Sequence, residues 1–166
     1  KDILSKSKTL KINDFTFLTL KTSKMVRVDK SDSYMYIHDS DHYKEGIMVM
    51  PIADTDMQHL ENIFPKVVRS IIMSDKYSMR QPIQFATVWN DAMPSVYLQI
   101  KRPKTTLYML ISHDKQYVYT HFIMSNNSNL LTKDLRDIVQ YVDTNNNKDY
   151  YNTFQSGLGA KMPKEM

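Results

Sequence analysis

Between residues 83 and 124, four apolar segments follow one another at short range: "IQFATVW" (83–89), "SVYLQIK" (95–101), "TTLYMLI" (105–111) and "QYVYTHFIM" (116–124). The connections "NDAMP", "RPK" and "SHDK" are too short for a parallel crossover, so these strands must be antiparallel neighbours. In the second segment Val96, Leu98 and Ile100 fall on one side, and Tyr97, Gln99 and Lys101 on the other. That alternation predicts a sheet with one face on a core and one wetter face.

The first third of the chain carries the same period. Leu10 and Ile12, then Phe15 and Phe17, alternate on either side of an "Asn13-Asp14" bend. "MVRV" (25–28) and "YMYI" (34–37) flank the turn-rich "DKSDS", and "IMVMPI" (47–52) is a continuous apolar run ended by Pro51. The period then changes. Met57, Leu60, Phe64, Val67, Val68, Ile71 and Ile72 recur at three- and four-residue steps, the stripe of an amphipathic helix. Asp54 or Thr55 suits its N-cap, and Pro65 should kink or restart it. A second stripe, Leu131, Leu135, Ile138, Val139 and Val142, defines another helix between "SNNSN" and "TNNNK".

Four strands, a long helix, four strands and a helix make an α+β domain. The expected arrangement is an antiparallel sheet of about six to eight strands with two amphipathic helices packed on it. Residues 1–8 read as a basic N-terminal linker, 9–143 as the single domain, and the Asn-, Gly- and Lys-rich 144–166 as a flexible or partner-dependent tail. With 166 residues, such a domain withdraws roughly 70% of its unfolded surface from water.

Three stretches carry a resemblance at the level of pattern. "FTFLTL" is an opening strand, and "IMVMPIADTDMQHLENIFPKVVRSI" is a strand running into a helix. "TLYMLISHDKQYVYTHFIM" with "DLRDIVQYV" forms a closing hairpin and helix. Over about residues 9–143 the arrangement resembles the PsbP/Mog1-like superfamily. The resemblance implies an antiparallel sheet flanked by helices and a non-enzymatic binding or assembly role, frequently exported or lipoprotein-attached in bacteria. It assigns no functional residue.

Composition narrows the chemistry. The chain has no cysteine, which removes disulfides, thiolate nucleophiles, iron–sulfur clusters and Cys-type zinc sites. Its three glycines, Gly46, Gly157 and Gly159, form no phosphate-cradling loop between a strand and a helix. No cofactor is expected. Residues 1–30 hold eight Lys or Arg against three Asp, while the remainder holds 14 basic against 15 acidic residues. A basic N-terminal stretch beside a near-neutral body suits contact with anionic lipid, or a strand edge guarded by lysines. Lys1 at the start fits a processed product that has lost a signal peptide or anchor. No apolar run approaches the ~20 residues that span a bilayer.

Three groups of residues are candidates for a site. "HDSDH" places His38, Asp39, Asp41 and His42 together, the ligand types of a metal centre. Along a strand His38 and Asp39 would point to opposite faces, so convergence demands a tight loop, and an ordinary polar turn is the simpler reading. Lys101, Arg102 and Lys104 form a basic cluster near aromatic residues, the composition of a phosphate-contacting surface. Tyr97, Tyr108, Tyr117 and Tyr119 are spread over the later strands and, on one face, would form a protein or glycan contact surface. "SHD" (112–114) has the residue types of a hydrolase triad, but adjacent placement is the wrong geometry. His59 on the first helix and His121 within a strand read as structural.

The resulting expectation leans away from an enzyme. It is a non-catalytic binding or assembly module, extracytoplasmic or membrane-attached in a bacterium, contacting a protein or cell-envelope partner. Two alternatives are a metal-dependent enzyme at the "HDSDH" loop and a weak nucleic-acid binder at 101–104. The missing RNP-type and zinc-finger patterns argue against the second.

Overall fold

The computed structural model describes residues 5–74, 84–88, 92–126 and 132–144. Five strands come first: β1 (Ser7–Ile12), β2 (Phe15–Leu20), β3 (Val26–Lys30), β4 (Ser33–Asp39) and β5 (Tyr43–Pro51). A short helix α1 (Asp54–Met57), a 3-10 turn (Leu60–Asn62) and helix α2 (Ile63–Ser74) follow. The chain continues through β6 (Gln84–Val88), β7 (Ser95–Lys101), β8 (Thr106–His113), β9 (Tyr117–Ser125), α3 (Thr132–Gln140) and β10 (Val142–Thr144).

The class is α+β with antiparallel pairing, but the strands divide between two sheets. A seven-stranded sheet runs β3-β4-β5-β9-β8-β7-β6, and a separate three-stranded sheet runs β1-β2-β10. The expectation of one sheet is therefore corrected. The large sheet is apolar on both faces over its central strands. Tyr108 and Leu110 of β8 enter one core, while Leu107, Met109 and Ile111 enter the other. Two apolar faces need two covers.

The small sheet and α3 cover one face, enclosing Phe15, Phe17, Ile47, Val49, Tyr119 and Ile138. Helix α2 covers the other, where Ile63, Phe64 and Val68 meet Val96, Leu98, Ile100 and Ile111. The face expected to be wet, that of Tyr97, is thus buried.

Local sequence explains most element ends. Asn13 adopts φ 55° in the β1–β2 turn and Ser31 φ 43° in the β3–β4 turn. Both are short polar residues in left-handed conformations that branched side chains resist. Gly46 of β5 sits where a Cβ would lie 2.6 Å from the Phe122 ring.

The first helix breaks at Gln58–His59, upstream of Pro65, and His59 lies in that break instead of on a helix. Helix α2 restarts at Ile63, so Pro65 falls in its first turn, where the missing N–H has no intrahelical acceptor to lose. The second helix ends at Gln140, and Val142 starts β10 opposite Phe17 of β2. A buried Val142 in a sheet replaces the expected helical one. Ser7 and Lys8 already belong to β1, which shortens the expected linker. Residues 1–4, Leu131 and the tail beyond Thr144 lie outside the described residues.

Candidate functional site

"HDSDH" is the tip of the β4–β5 hairpin. Asp39 ends β4, and the Ser40 amide donates to the Tyr43 carbonyl at 3.0 Å, closing the turn. Ser40 Oγ also donates to that carbonyl at 2.9 Å. His38 Nδ1 accepts the Lys24 amide at 3.0 Å, and its ring rests against Tyr43. His38, Asp39, Asp41 and His42 are not drawn together: among the described residues no three His, Asp or Glu side chains converge as a metal site would need. The ladder aligns Asp39 with Lys44, and Glu45, the register partner of His38, bonds His121 and Ser23 instead.

"SHD" also disperses. Ser112 Oγ shares a hydrogen bond with Ser95 Oγ at 2.7 Å. His113 is buried against the Phe64 ring at 4.9 Å, and burial holds its imidazole below the usual histidine range. Asp114 caps the β8–β9 turn. Its Oδ1 accepts the Gln116 and Tyr117 amides, both at 2.7 Å, and its Oδ2 accepts the Tyr119 hydroxyl at 3.1 Å.

The buried chemistry lies elsewhere. Glu45 and His121 are both fully enclosed, with Glu45 Oε2 2.7 Å from His121 Nε2. Oε1 accepts Ser23 Oγ at 2.6 Å and the Leu20 amide at 3.2 Å. Ser23 Oγ in turn bonds Tyr43 Oη at 2.9 Å. The order is Tyr43–Ser23–Glu45–His121, with the carboxylate between hydroxyl and imidazole. A hydrolase places imidazole between nucleophile and acid, so this order activates no serine. Among the described residues His121 Nδ1 has no hydrogen-bond partner, and the Phe17 ring stands edge-on to the imidazole. Both groups are enclosed, and the network ties the small sheet to the large one.

Sequence reasoning missed Glu45. Its signal is present: Tyr43, Glu45, Ile47 and Val49 share one face of β5, putting a carboxylate in line with core residues.

The tyrosines do not form an exposed surface. Tyr97, Tyr108 and Tyr119 are core residues, and Tyr117 is half-buried at the core's edge. Burial raises the Tyr97 and Tyr119 phenols above the usual tyrosine range. Each hydroxyl is engaged within the fold: Tyr97 with Gln99 at 2.8 Å, and Tyr119 with Asn13 and Asp114. These residues are large apolar bodies with satisfied polar tips.

Lys101, Arg102 and Lys104 behave differently. They surround one cavity of about 370 Å³ at the β7–β8 turn, together with Thr105, Thr106, Tyr108, Asn126 and Thr132. Arg102 N donates to Thr105 O at 2.8 Å and sets the turn, while Arg102 Nη1 reaches Met124 Sδ at 2.8 Å. Lys101 and Lys104 are exposed, and among the described residues no lining residue is acidic. Tyr108 Oη stands 3.4 Å from Thr132 Oγ1 at the start of α3, so the floor presents hydroxyls and the first turn of a helix. Three cations and several hydroxyl donors around one opening suit an anionic group.

A second cavity, about 450 Å³, lies between α2 and β5, lined by Met48, Met50, Ile52, Val67, Ile71 and Met109. Its charged rim residues, Asp56 and Lys66, bond each other at 2.9 Å. Comparison with protein-family models and with curated protein sequences finds no match for this chain.

Proposed function

We propose that this protein is a non-catalytic binding module that holds an anionic group of a protein or cell-envelope partner in the cavity bounded by Lys101, Arg102 and Lys104. The observation that carries the reading is the convergence of Lys101, Arg102 and Lys104 on one opening whose described lining holds no acidic residue. A cationic concavity attracts anions over about a Debye length and adds hydrogen-bond donors at contact. The enclosure of Glu45 and His121 and the dispersal of "HDSDH" and "SHD" support a binding role over a catalytic one. An extracytoplasmic or membrane-attached bacterial setting and kinship with the PsbP/Mog1-like superfamily belong to the same proposal. Their support is the basic stretch over residues 1–30 and the antiparallel sheet flanked by helices.

The test titrates the wild-type chain and Lys101→Glu/Lys104→Glu with inorganic polyphosphate, an acidic polysaccharide and a single-stranded oligonucleotide at low and physiological salt. Wild type should bind a non-nucleic polyanion saturably and lose affinity as salt rises. The double variant should bind about tenfold more weakly or worse, a change of about 1.4 kcal/mol. Its stability should stay within about 0.5 kcal/mol, because both lysines are exposed. No binding by wild type, or equal binding by the variant, removes the reading. Tighter binding of the oligonucleotide than of either other polymer replaces it with nucleic-acid recognition.

A further inference from the structure

Among the described residues, strand β3 is the outer strand of the large sheet, pairs with β4 alone, and is exposed along all five residues. Val26 and Val28 are 61% and 38% exposed, a large apolar exposure for a strand edge. Natural edges are usually blunted by charged side chains, proline, a bulge or a covering element. Here the sequence is "VRVDK", in register with β4 throughout and without proline.

The charges of this edge are self-complementary. Arg27 and Asp29 are two residues apart and share the face of their β4 partners, Tyr36 and Tyr34. Arg27 Nε bonds Asp29 Oδ1 at 2.9 Å, and the guanidinium lies 3.8 Å over the Tyr34 ring. We propose that a second copy of this chain pairs antiparallel along β3, about a two-fold axis at Val28. The two seven-stranded sheets then become one continuous sheet.

Register selection follows from the ladder. The two-residue Ser31–Asp32 turn makes Lys30 and Ser33 the closing pair. By the alternation of an antiparallel ladder, the peptide groups of Val26, Val28 and Lys30 face β4, and those of Arg27 and Asp29 face outward. A second copy bonds only through the outward set, so residues of like orientation must be opposed. Centring on Arg27 opposes two arginines, and centring on Asp29 opposes two aspartates. Centring on Val28 sets each Arg27 against the other copy's Asp29, sets Val28 against itself, and brings no like charges together. This register joins the internal Arg27–Asp29 pairs of both copies into a ring of alternating charge and covers Val28.

Light scattering and cysteine trapping on the full chain test the pairing. Wild type should show a mass approaching twice 19.5 kDa as concentration rises. Arg27→Asp and Asp29→Arg should each remain monomeric alone and form a dimer when mixed, because the acidic edge of one then faces the basic edge of the other. The chain contains no cysteine, so an introduced thiol is unique.

In the proposed register, opposed Val28 residues form a non-hydrogen-bonded pair, with Cα atoms about 4.5 Å apart. That separation suits a disulfide. The two Val26 positions stand roughly 13 Å apart, four residues along the strand, which is too far. Val28→Cys should therefore oxidise to a covalent dimer, and Val26→Cys should not. A wild-type chain that stays at 19.5 kDa, a dimer indifferent to Arg27→Asp, a mixture that stays monomeric, or equal trapping at both positions overturns the proposal.

Discussion

Glu45 and His121 stand 76 residues apart in the chain and meet inside the core, one on each of two adjacent strands. A carboxylate and an imidazole so enclosed are tolerated only with their partners in place, because an unsatisfied buried polar group costs its desolvation. Glu45→Leu should lower the free energy of unfolding by about 3–5 kcal/mol, as breaking a buried pair does. Glu45→Leu/His121→Leu should cost less than the sum of the two single changes, with a coupling of about 0.5–3 kcal/mol measured by urea unfolding. Additive losses would show that the two side chains act independently. His121 read as structural from sequence, and it lies buried beside Glu45. Its partner did not stand out, because a Glu is rarely fully buried unless paired, and the residue it pairs with lies on another strand.

Among the elements, α3 shows how much a short helix depends on one face. Its nine residues are too few for stability in isolation. Leu135, Ile138 and Val139 are buried, and each such burial is worth about 1.5–3 kcal/mol. The exposed Lys133–Asp137 pair at i,i+4 adds about 0.3–0.5 kcal/mol at most. Ile138→Ala should therefore cost about 2–5 kcal/mol in thermal or urea unfolding, while Lys133→Ala should be near neutral. A comparable loss from both would mean that the helix is held by its surface charges. The apolar stripe made this helix legible from residues 131–142, but not its end, because Val142 fits the stripe and also pairs with Phe17 in β10. Pro65 was equally legible as a constraint. Of the expected kink or restart, the restart occurs, at Ile63 just upstream, so the proline meets a helix start instead of a helix interior.

For the whole molecule, the sheet centre is the part enclosed by both cores. Strands β8 and β9 are flanked on each side by another strand and contribute side chains to both cores. Their amides should exchange with solvent most slowly, because exposing them requires both covers to open, whereas the three-residue β10 should exchange sooner. Slowest exchange in β10 would reverse this order of opening.

The strands, their antiparallel sense and the two amphipathic stripes were written in local periodicity and connection length, which act over a few residues. Only the tertiary structure decided that β1 and β2 leave the large sheet, take β10 as a partner, and turn a wet face into a second core. It also enclosed Tyr97, Tyr108 and Tyr119 while leaving Lys101, Arg102 and Lys104 around an opening. The physical reason is that alternation assigns a side chain to one of two faces but carries no information about what covers each face. Contacts between residues distant in the chain settle that.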